Sequence, residues 1–494
     1  MTTSLEALVQ HCESEQLHLS GAIQPFGALI RIDTASGLIT HVSANIDCIL
    51  GVEAPALLGQ PRERLSWLSA QVLESLPEQP GKSVAIPDIA DRSGRKVNGL
   101  AIRGTGCVLV ELENVDTSFE PVSVQRLQTP LLRVPCDAGE LALHHDLLTR
   151  TIGEATGYDR VMIYRFHDDW SGEVIAEATT GKLGSYLGLR FPASDIPAIA
   201  RDLYMLNPSR MIPDATSEPV PVLGVEPAPP DLTWSNLRSV SPVHLEYLGH
   251  MGAGASFSIP IRVAGRLWGL VACHHLGTRL LPPDCRTVCV SLTNAYSLGL
   301  TSHLASRRFQ VLDSLERRIG KILEALAEHD DPLDGIARMA DRLKDTMDAQ
   351  AFAMAAGDDV VIAGDGPDLD AMGIIDDWLL NENREAVAFT DHLGDIFLDQ
   401  PTLLAAVSGM AAVKARSPNS GWVRFYWFRP AQPQEVAWAG NPDKPMVEKA
   451  GVAMLSPRRS FEKWIEVKTG YSRPWTMEEK ITAGKFRSTL LEWL

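Results

Sequence analysis

Residues 28–50, ALIRIDTASGLITHVSANIDCIL, set two alternating apolar and polar runs, rich in β-branched residues, around the polar stretch TASG. This predicts strand, turn, strand and then helix, in a small α+β unit. A second α+β unit runs from about Leu131 to Thr278, with predicted strands at 160–166 (RVMIYRF), 172–178 (GEVIAEA), 255–263 (ASFSIPIRV) and 267–273 (LWGLVAC). The turn AGR joins the last two, so the sheet is largely antiparallel. Between its halves lies the proline-rich stretch VPVLGVEPAPPDLTWSNLRSV, which predicts an extended loop. From Asp284 to Asp331 there is no proline, and Gly299 and Gly320 are the only glycines, which predicts one long helix with Asp284 as N-cap. Within it Leu312, Leu315, Ile319, Ile322 and Leu326 step by three and four, a heptad seam. That seam either buries itself against a third domain of the same chain or pairs two chains, and the helix's length favours a dimer spine. Residues 332–475 read as a third α+β region and 476–494 as a terminal helix, inside which the chain stops, leaving room for an output segment to follow.

The 494 residues suit roughly three domains. With 45% hydrophobic and 22% charged residues the composition is globular, and no apolar run is long enough to span a bilayer. The start, MTTSLEALVQHCESEQ, lacks a basic region followed by an apolar core, which predicts a cytoplasmic protein. A formal charge of −17 argues against nucleic-acid or anionic-membrane partners, so clustered arginines must serve a local purpose. Seven irregularly spaced cysteines read as reduced thiols.

One short stretch, FPASDIPAIARDLY, mounts Asp195 between Pro192 and Pro197 just ahead of a helix. Helix capping is the simplest reason for a carboxylate there; a functional role is the alternative. His274 and His275 beside Cys273, Cys285 and Cys289 raise the question of a metal. Adjacent strand residues point to opposite faces, however, and neither C-x-x-C nor H-E-x-x-H spacing is present. No G-x-S-x-G or phosphate loop occurs. A denser constellation joins Arg210 and Arg238 to Ser241, His244, Ser256 and Ser258, two guanidiniums with several hydroxyls, a set suited to carboxylates. Met162, Tyr164, Tyr186, Phe191, Tyr204 and Tyr247 supply apolar and aromatic walls in the same domain.

Together with CESEQLHLSGAIQPFG, LRSVSPVHLEYL, LWGLVACHH and SPRRSFEKW, these residues make the chain resemble the photosensory module of bacteriophytochromes over essentially its whole length. The resemblance implies an α+β, three-domain PAS-GAF-PHY core with antiparallel sheets and a long connecting helix. It places an N-terminal arm and PAS domain at 1–125 and a bilin-binding GAF domain at 126–305. A PHY domain would occupy 306–494, with a tongue hairpin at about 420–465 and a C-terminal helix.

The family's ligand is biliverdin IXα, which has two propionates and is joined by a thioether to a cysteine ahead of the PAS domain, the position of Cys12 here. Plant-type phytochromes use a cysteine just before the histidine matched by His244, where this chain has Val243, so the resemblance implies biliverdin. It assigns Arg210, Arg238 and Tyr204 to one propionate, and Ser241, Ser256, Ser258 and His244 to the other. It places the backbone carbonyl of Asp195, with Ile196 and Pro197 beside it, and His244 against the pyrrole N–H groups. His274 would meet the carbonyl of ring D. Arg458 and Ser460 of PRRSF would come from the tongue as signalling partners of Asp195, and GWVRFYWFRP would be the tongue's other strand. The implied function is red/far-red photoreception with relay through the helix to an output module, a histidine kinase or another effector, with a homodimer and a response regulator as partners. This chain itself carries no catalytic output domain. A GAF-type sensor of another small anionic ligand, without photochemistry, is the alternative.

Overall fold

The computed structural model describes residues 16–91, 93–114, 124–326, 328–329, 332–417, 421–442, 446–449, 452–455 and 460–493. Two compact units emerge: one reaching to His303 and taking in Ala437–Trp464, the other made of Leu304–Val436 with Ile465–Leu494.

The alternating runs near the N-terminus form the expected strand pair. Strands β1 (Ala22–Ile23), β2 (Gly27–Asp33), β3 (Ile39–Ser43), β4 (Ser83–Ala90), β5 (Lys96–Gly104) and β6 (Cys107–Asn114) belong to one sheet. Its apolar face packs Ile30, Ile39, Val42, Val110 and Leu112 against short helices.

The second sheet is built from β7 (Arg160–Phe166), β8 (Gly172–Thr179), β9 (Arg190–Phe191) and β10 (Arg210–Ile212), and from β12 (Ala255–Val263) and β13 (Arg266–His275), in the order β10-β12-β13-β7-β8-β9. The hairpin AGR closes with Val263 paired to Arg266, and Ala264 and Gly265 both take positive φ, 49° and 77°. This is the geometry of a tight two-residue turn.

β11 (Val220–Gly224) corrects the loop expected for the proline-rich stretch: it enters the first sheet between β1 and β3. Pro221 pairs with Ala22, and Val222 with Ser43. Proline is tolerated there because Pro221 pairs only with the two-residue β1, and the pairing with β3 begins one residue later, at Val222.

Residues on the second sheet obey the period-two rule. Val161, Ile163, Phe257, Ile259, Ile261, Val271 and Cys273 turn to one face, where they pack with residues of α1 (Ala138–Thr156) and of the long helix Pro283–Leu326. Met162, Tyr164, Ser256, Ser258, Leu270, Ala272 and His274 turn to the other face, beneath α2 (Ala198–Leu206) and α3 (Pro242–His250).

The long helix, α4 (Pro283–Leu326), ends five residues earlier than expected, and Asp284 lies within its first turn rather than at the cap. Its seam is already used inside the chain. Leu315, Ile319 and Ile322 are buried and Leu312 is half-buried, while the side chain of Leu326 lies outside the described residues. Ile322 packs with Ile336, Met339 and Met354 in the core of the second unit. Ion pairs Arg307–Glu478 and Lys485–Glu316 lay the terminal helix α5 (Met477–Trp493) along α4. The seam therefore does not supply the dimer spine expected of it.

The second unit centres on a sheet of β14 (Ala351–Ala356), β15 (Asp359–Gly364), β16 (Val387–Thr390), β17 (Gly409–Ser417) and β18 (Gly421–Arg429), in the order β15-β14-β18-β17-β16. GWVRFYWFR is the middle strand of this sheet, buried from Val423 to Arg429, and not a tongue strand. The hairpin starts later than 420: β19 (Gln434–Ala439), the ribbon β20 (Met446–Lys449) with β21 (Val452–Leu455), and β22 (Lys463–Lys468). Trp438 pairs in parallel with Arg190 of β9, a local exception to the antiparallel pattern. Ala439 buries its methyl beside Phe461. Gly440, at φ 80°, lies against the carbonyl of Ser460 where no Cβ would fit.

Candidate functional site

A cavity opens between the face of the second sheet that carries Met162, Ser258 and His274 and helices α2 and α3. Helical spacing aims Ile199, Leu203 and Tyr204 into it from α2, with Asn207 just after that helix, and His244, Tyr247, Leu248 and Met251 from α3 and the residue after it. From the strands come Met162, Tyr164 and Phe191, then Arg210 with Ser256 and Ser258 on the facing strand, then His274. Arg210 lies directly across from Ser258, and Ser256 from His274. Arg238 and Ser241 complete the polar wall, with Asp195, Ile196 and Pro197 at its rim.

Of the residues expected at the site, the cavity thus gathers fifteen: Met162, Tyr164, Phe191, Asp195, Ile196, Pro197, Tyr204, Arg210, Arg238, Ser241, His244, Tyr247, Ser256, Ser258 and His274. Tyr186 sits one layer behind, edge-on to Phe191 at 5.5 Å and tilted against Phe461 at 6.1 Å. Ser460 is exposed. Cys12 and Arg458 lie outside the described residues.

The mount of Asp195 is a 3₁₀ turn, Ala193–Asp195, entered through Pro192. α2 begins at Ala198 with Pro197 in the cap position and no side-chain cap, so Asp195 does not cap it. The carboxylate instead accepts from the Tyr247 hydroxyl at 2.9 Å. The ring of Tyr247 is nearly parallel to that of His244 at 6.1 Å and meets Phe461 edge-on at 5.1 Å.

Electrostatics sets the character of the cavity. Arg210 donates to the carbonyls of Asn236, Arg238 and Ser239, and Arg238 to those of Leu232 and Thr233. Among the described residues no carboxylate forms an ion pair with either. Burial, with the Arg238 charge adding to it, pushes Arg210 down to about 9, and burial pushes Arg238 down to about 10. Both remain cations at neutral pH, so the wall presents two desolvated positive charges that call for anions. Tyr204, hydrogen-bonded to Ser258, has its phenol pushed up by burial. Burial, then Arg210, lowers His244 to about 4, and burial holds His274 well below the ordinary imidazole range. Both imidazoles are neutral.

The adjacent histidines part as a strand requires. His274 faces the cavity, while His275 Nδ1 lies 2.7 Å from Asp159 Oδ2.

Sequence reasoning missed two residues. Arg160 heads the face that carries Met162 and Tyr164, and period-two alternation could have found it. Glu111, from β6, accepts from Ser235 Oγ at 2.6 Å, Asn236 N at 2.7 Å and Asn236 Nδ2 at 2.8 Å, pinning the loop that carries Arg238. No local pattern links a strand residue to a loop more than a hundred positions away.

Family models match three consecutive regions: a PAS fold at 12–115, a GAF domain at 146–297 and a phytochrome region at 315–494. A bacteriophytochrome of Pseudomonas aeruginosa is 34% identical over all of this chain and 67% of its own length. One of Xanthomonas campestris is 34% identical over 94% of this chain and 75% of its own. Among solved structures, a bacteriophytochrome of R. palustris superposes with TM-score 0.83 at 30% identity, covering 98% of both chains. The photosensory core module of Stigmatella aurantiaca phytochrome does so with TM-score 0.83 at 32% identity, covering 98% of this chain and 97% of that one.

Proposed function

Because this chain belongs to the phytochrome family as a PAS-GAF-PHY photosensory module, we propose that its cavity holds biliverdin IXα, joined by a thioether to Cys12. The chain is a red/far-red photoreceptor of the bacteriophytochrome type. The observation that carries the ligand reading is the pair Arg210 and Arg238, cations in the cavity wall with no carboxylate partner among the described residues. Two propionates meet that demand, and each charge-assisted contact contributes about 1.5–3 kcal/mol if well formed.

When bound, the bilin supplies visible absorption and Z/E isomerisation of the double bond between rings C and D. The chain's own residues do the rest. Arg210, Arg238 and Tyr204 anchor one propionate, and Ser241, Ser256, Ser258 and His244 the other. Tyr164, Phe191 and Met162 exclude water, while the Asp195 backbone carbonyl and His244 face the pyrrole nitrogens and His274 the ring D carbonyl. Arg458 and Ser460, from the tongue, complete the signalling contact at Asp195, and the change passes along α4 to an output module such as a histidine kinase acting on a response regulator. Val243 lines the cavity where a plant-type attachment cysteine would stand, which supports attachment through Cys12.

A homodimer fits the reading. With the heptad seam occupied, its contact is assigned to Leu143 of α1 and Leu298 of α4, leucines that are 66% and 63% exposed. The exposed Cys48 and Cys136 suit a reducing cytoplasm.

Mixing apoprotein with biliverdin and recording absorption before and after red light is the test. A red band that photoconverts is expected; binding without photoconversion favours the anion-sensor alternative, and no spectral change overturns the reading. Cys12→Ala should still take up the bilin but lose the covalent label on a denaturing gel with zinc-enhanced fluorescence. A variant that stays labelled would move the thioether to another thiol.

A further inference from the structure

Arg160 opens β7 directly opposite His274 on β13. It is only 1% exposed, and among the described residues it forms no ion pair with a carboxylate. Its Nη1 donates to the Gly184 carbonyl at 2.5 Å, its Nη2 lies 2.9 Å from His274 Nδ1, and its guanidinium sits 3.9 Å above the ring of Tyr186. A buried cation is a costly way to fill a gap, so the atom it meets matters.

A guanidinium has five N–H donors and no acceptor. Whatever lies 2.9 Å from Nη2 must therefore accept, and His274 Nδ1 can accept only when it carries no proton. A neutral imidazole has one N–H, which is then on Nε2. An imidazolium would carry protons on both nitrogens and oppose donor to donor across that contact. A serine or glutamine in place of Arg160 would not impose this choice, since each can accept as readily as it donates.

We infer that Arg160 is a positioning residue that fixes His274 as the neutral Nε2–H tautomer, so that the imidazole stands ready as a hydrogen-bond donor to a ligand in the cavity. Gly184 and the Tyr186 ring hold the guanidinium in place. The burial that keeps the imidazole uncharged acts in the same direction. A ligand at this end of the cavity must then offer a lone pair, as a carbonyl does, and one that offers an ammonium or an N–H is disfavoured. That this lone pair belongs to the ring D carbonyl rests on the proposed function; the tautomer itself does not.

The experiment uses apoprotein labelled with ¹⁵N-histidine, with the His274 resonances assigned by their loss in His274→Gln. The expected spectrum has an unprotonated Nδ1 and a protonated Nε2. A protonated Nδ1, alone or as imidazolium, overturns the inference. In Arg160→Met a second population protonated at Nδ1 should appear, and a folded variant that keeps the wild-type pattern would show that Arg160 does not choose the tautomer. Should that variant fail to fold, the wild-type spectrum still decides. Biliverdin takes no part in these measurements, so a protein that shows the expected tautomer yet ignores biliverdin refutes the ligand reading alone.

Discussion

The Tyr247 hydroxyl donates to Oδ2 of Asp195 across 2.9 Å, tying α3 to a turn that has no capping contact with the helix after it. Because no cap is lost, Asp195→Asn should leave thermal stability within about 0.5 kcal/mol of wild type and bilin uptake near normal. It removes a charge at the cavity rim, so the light-induced far-red state should be defective. Tyr247→Phe, which deletes a donor to a half-buried carboxylate, should cost about 1–3 kcal/mol. Melting curves and light-minus-dark difference spectra check both, and a fully normal difference spectrum in Asp195→Asn would reduce this acid to a structural role.

Glu111 holds the loop at 235–237 by accepting from Ser235 and Asn236, and the same loop offers the Asn236 carbonyl to Arg210 at 3.3 Å. In Glu111→Gln one acceptor becomes a donor facing donors. A loss of about 1–3 kcal/mol is expected, together with weaker biliverdin uptake, although residue 111 does not line the cavity. Melting and biliverdin titration read these separately. Unchanged uptake would show that the loop keeps its place without this anchor.

The heptad seam is internal, so charges there should act on folding and not on association. Leu315→Glu or Ile322→Glu buries a charge within the second unit and should unfold it at lower denaturant, by about 3 kcal/mol or more. Leu298→Glu, at an exposed position, should fold normally and raise the monomer fraction in analytical ultracentrifugation. If the seam variants fold and only dissociate, the seam serves the dimer after all.

Acid should weaken the first unit through its buried imidazoles. His145 and His244 are each lowered to about 4, mainly by burial, while the unfolded chain titrates near 6.5. Between those values the unfolded state binds more protons, so stability is full above about pH 6.5 and falls as pH drops toward about 4, by up to about 3 kcal/mol for each group. Urea midpoints of the apoprotein at about pH 7 and about pH 5 measure this. His244→Gln should flatten the fall, and an equally steep fall in that variant would assign the acid sensitivity elsewhere.

Much of the architecture was legible because alternation is a local property. The runs at 160–166 and 255–263 appear as strands with those bounds, and the face carrying Met162, Tyr164, Ser256 and Ser258 follows from counting by twos. The site set was legible for a related reason: a polar residue on an otherwise apolar strand face, beside arginines in an acidic chain, must answer to a ligand or to a partner.

What the sequence by itself determined, then, is which segments are strands and helices, which faces are buried, and which side chains share a face. What only the tertiary structure decided is what each face and edge meets. The pattern of GWVRFYWFR suits a tongue strand or a central one equally, and pairing with β14 and β17 makes it central. A heptad seam specifies an apolar partner without naming one, and here the partner is the chain's own second unit. VPVLG reads as a loop until β1 and β3 offer it backbone partners. Arg160 and His274 are 114 positions apart, and only the register of two strands brings donor and acceptor to 2.9 Å. Hydrophobic periodicity is written along one segment, whereas hydrogen-bond partners and packing surfaces are relations between segments that folding alone brings together.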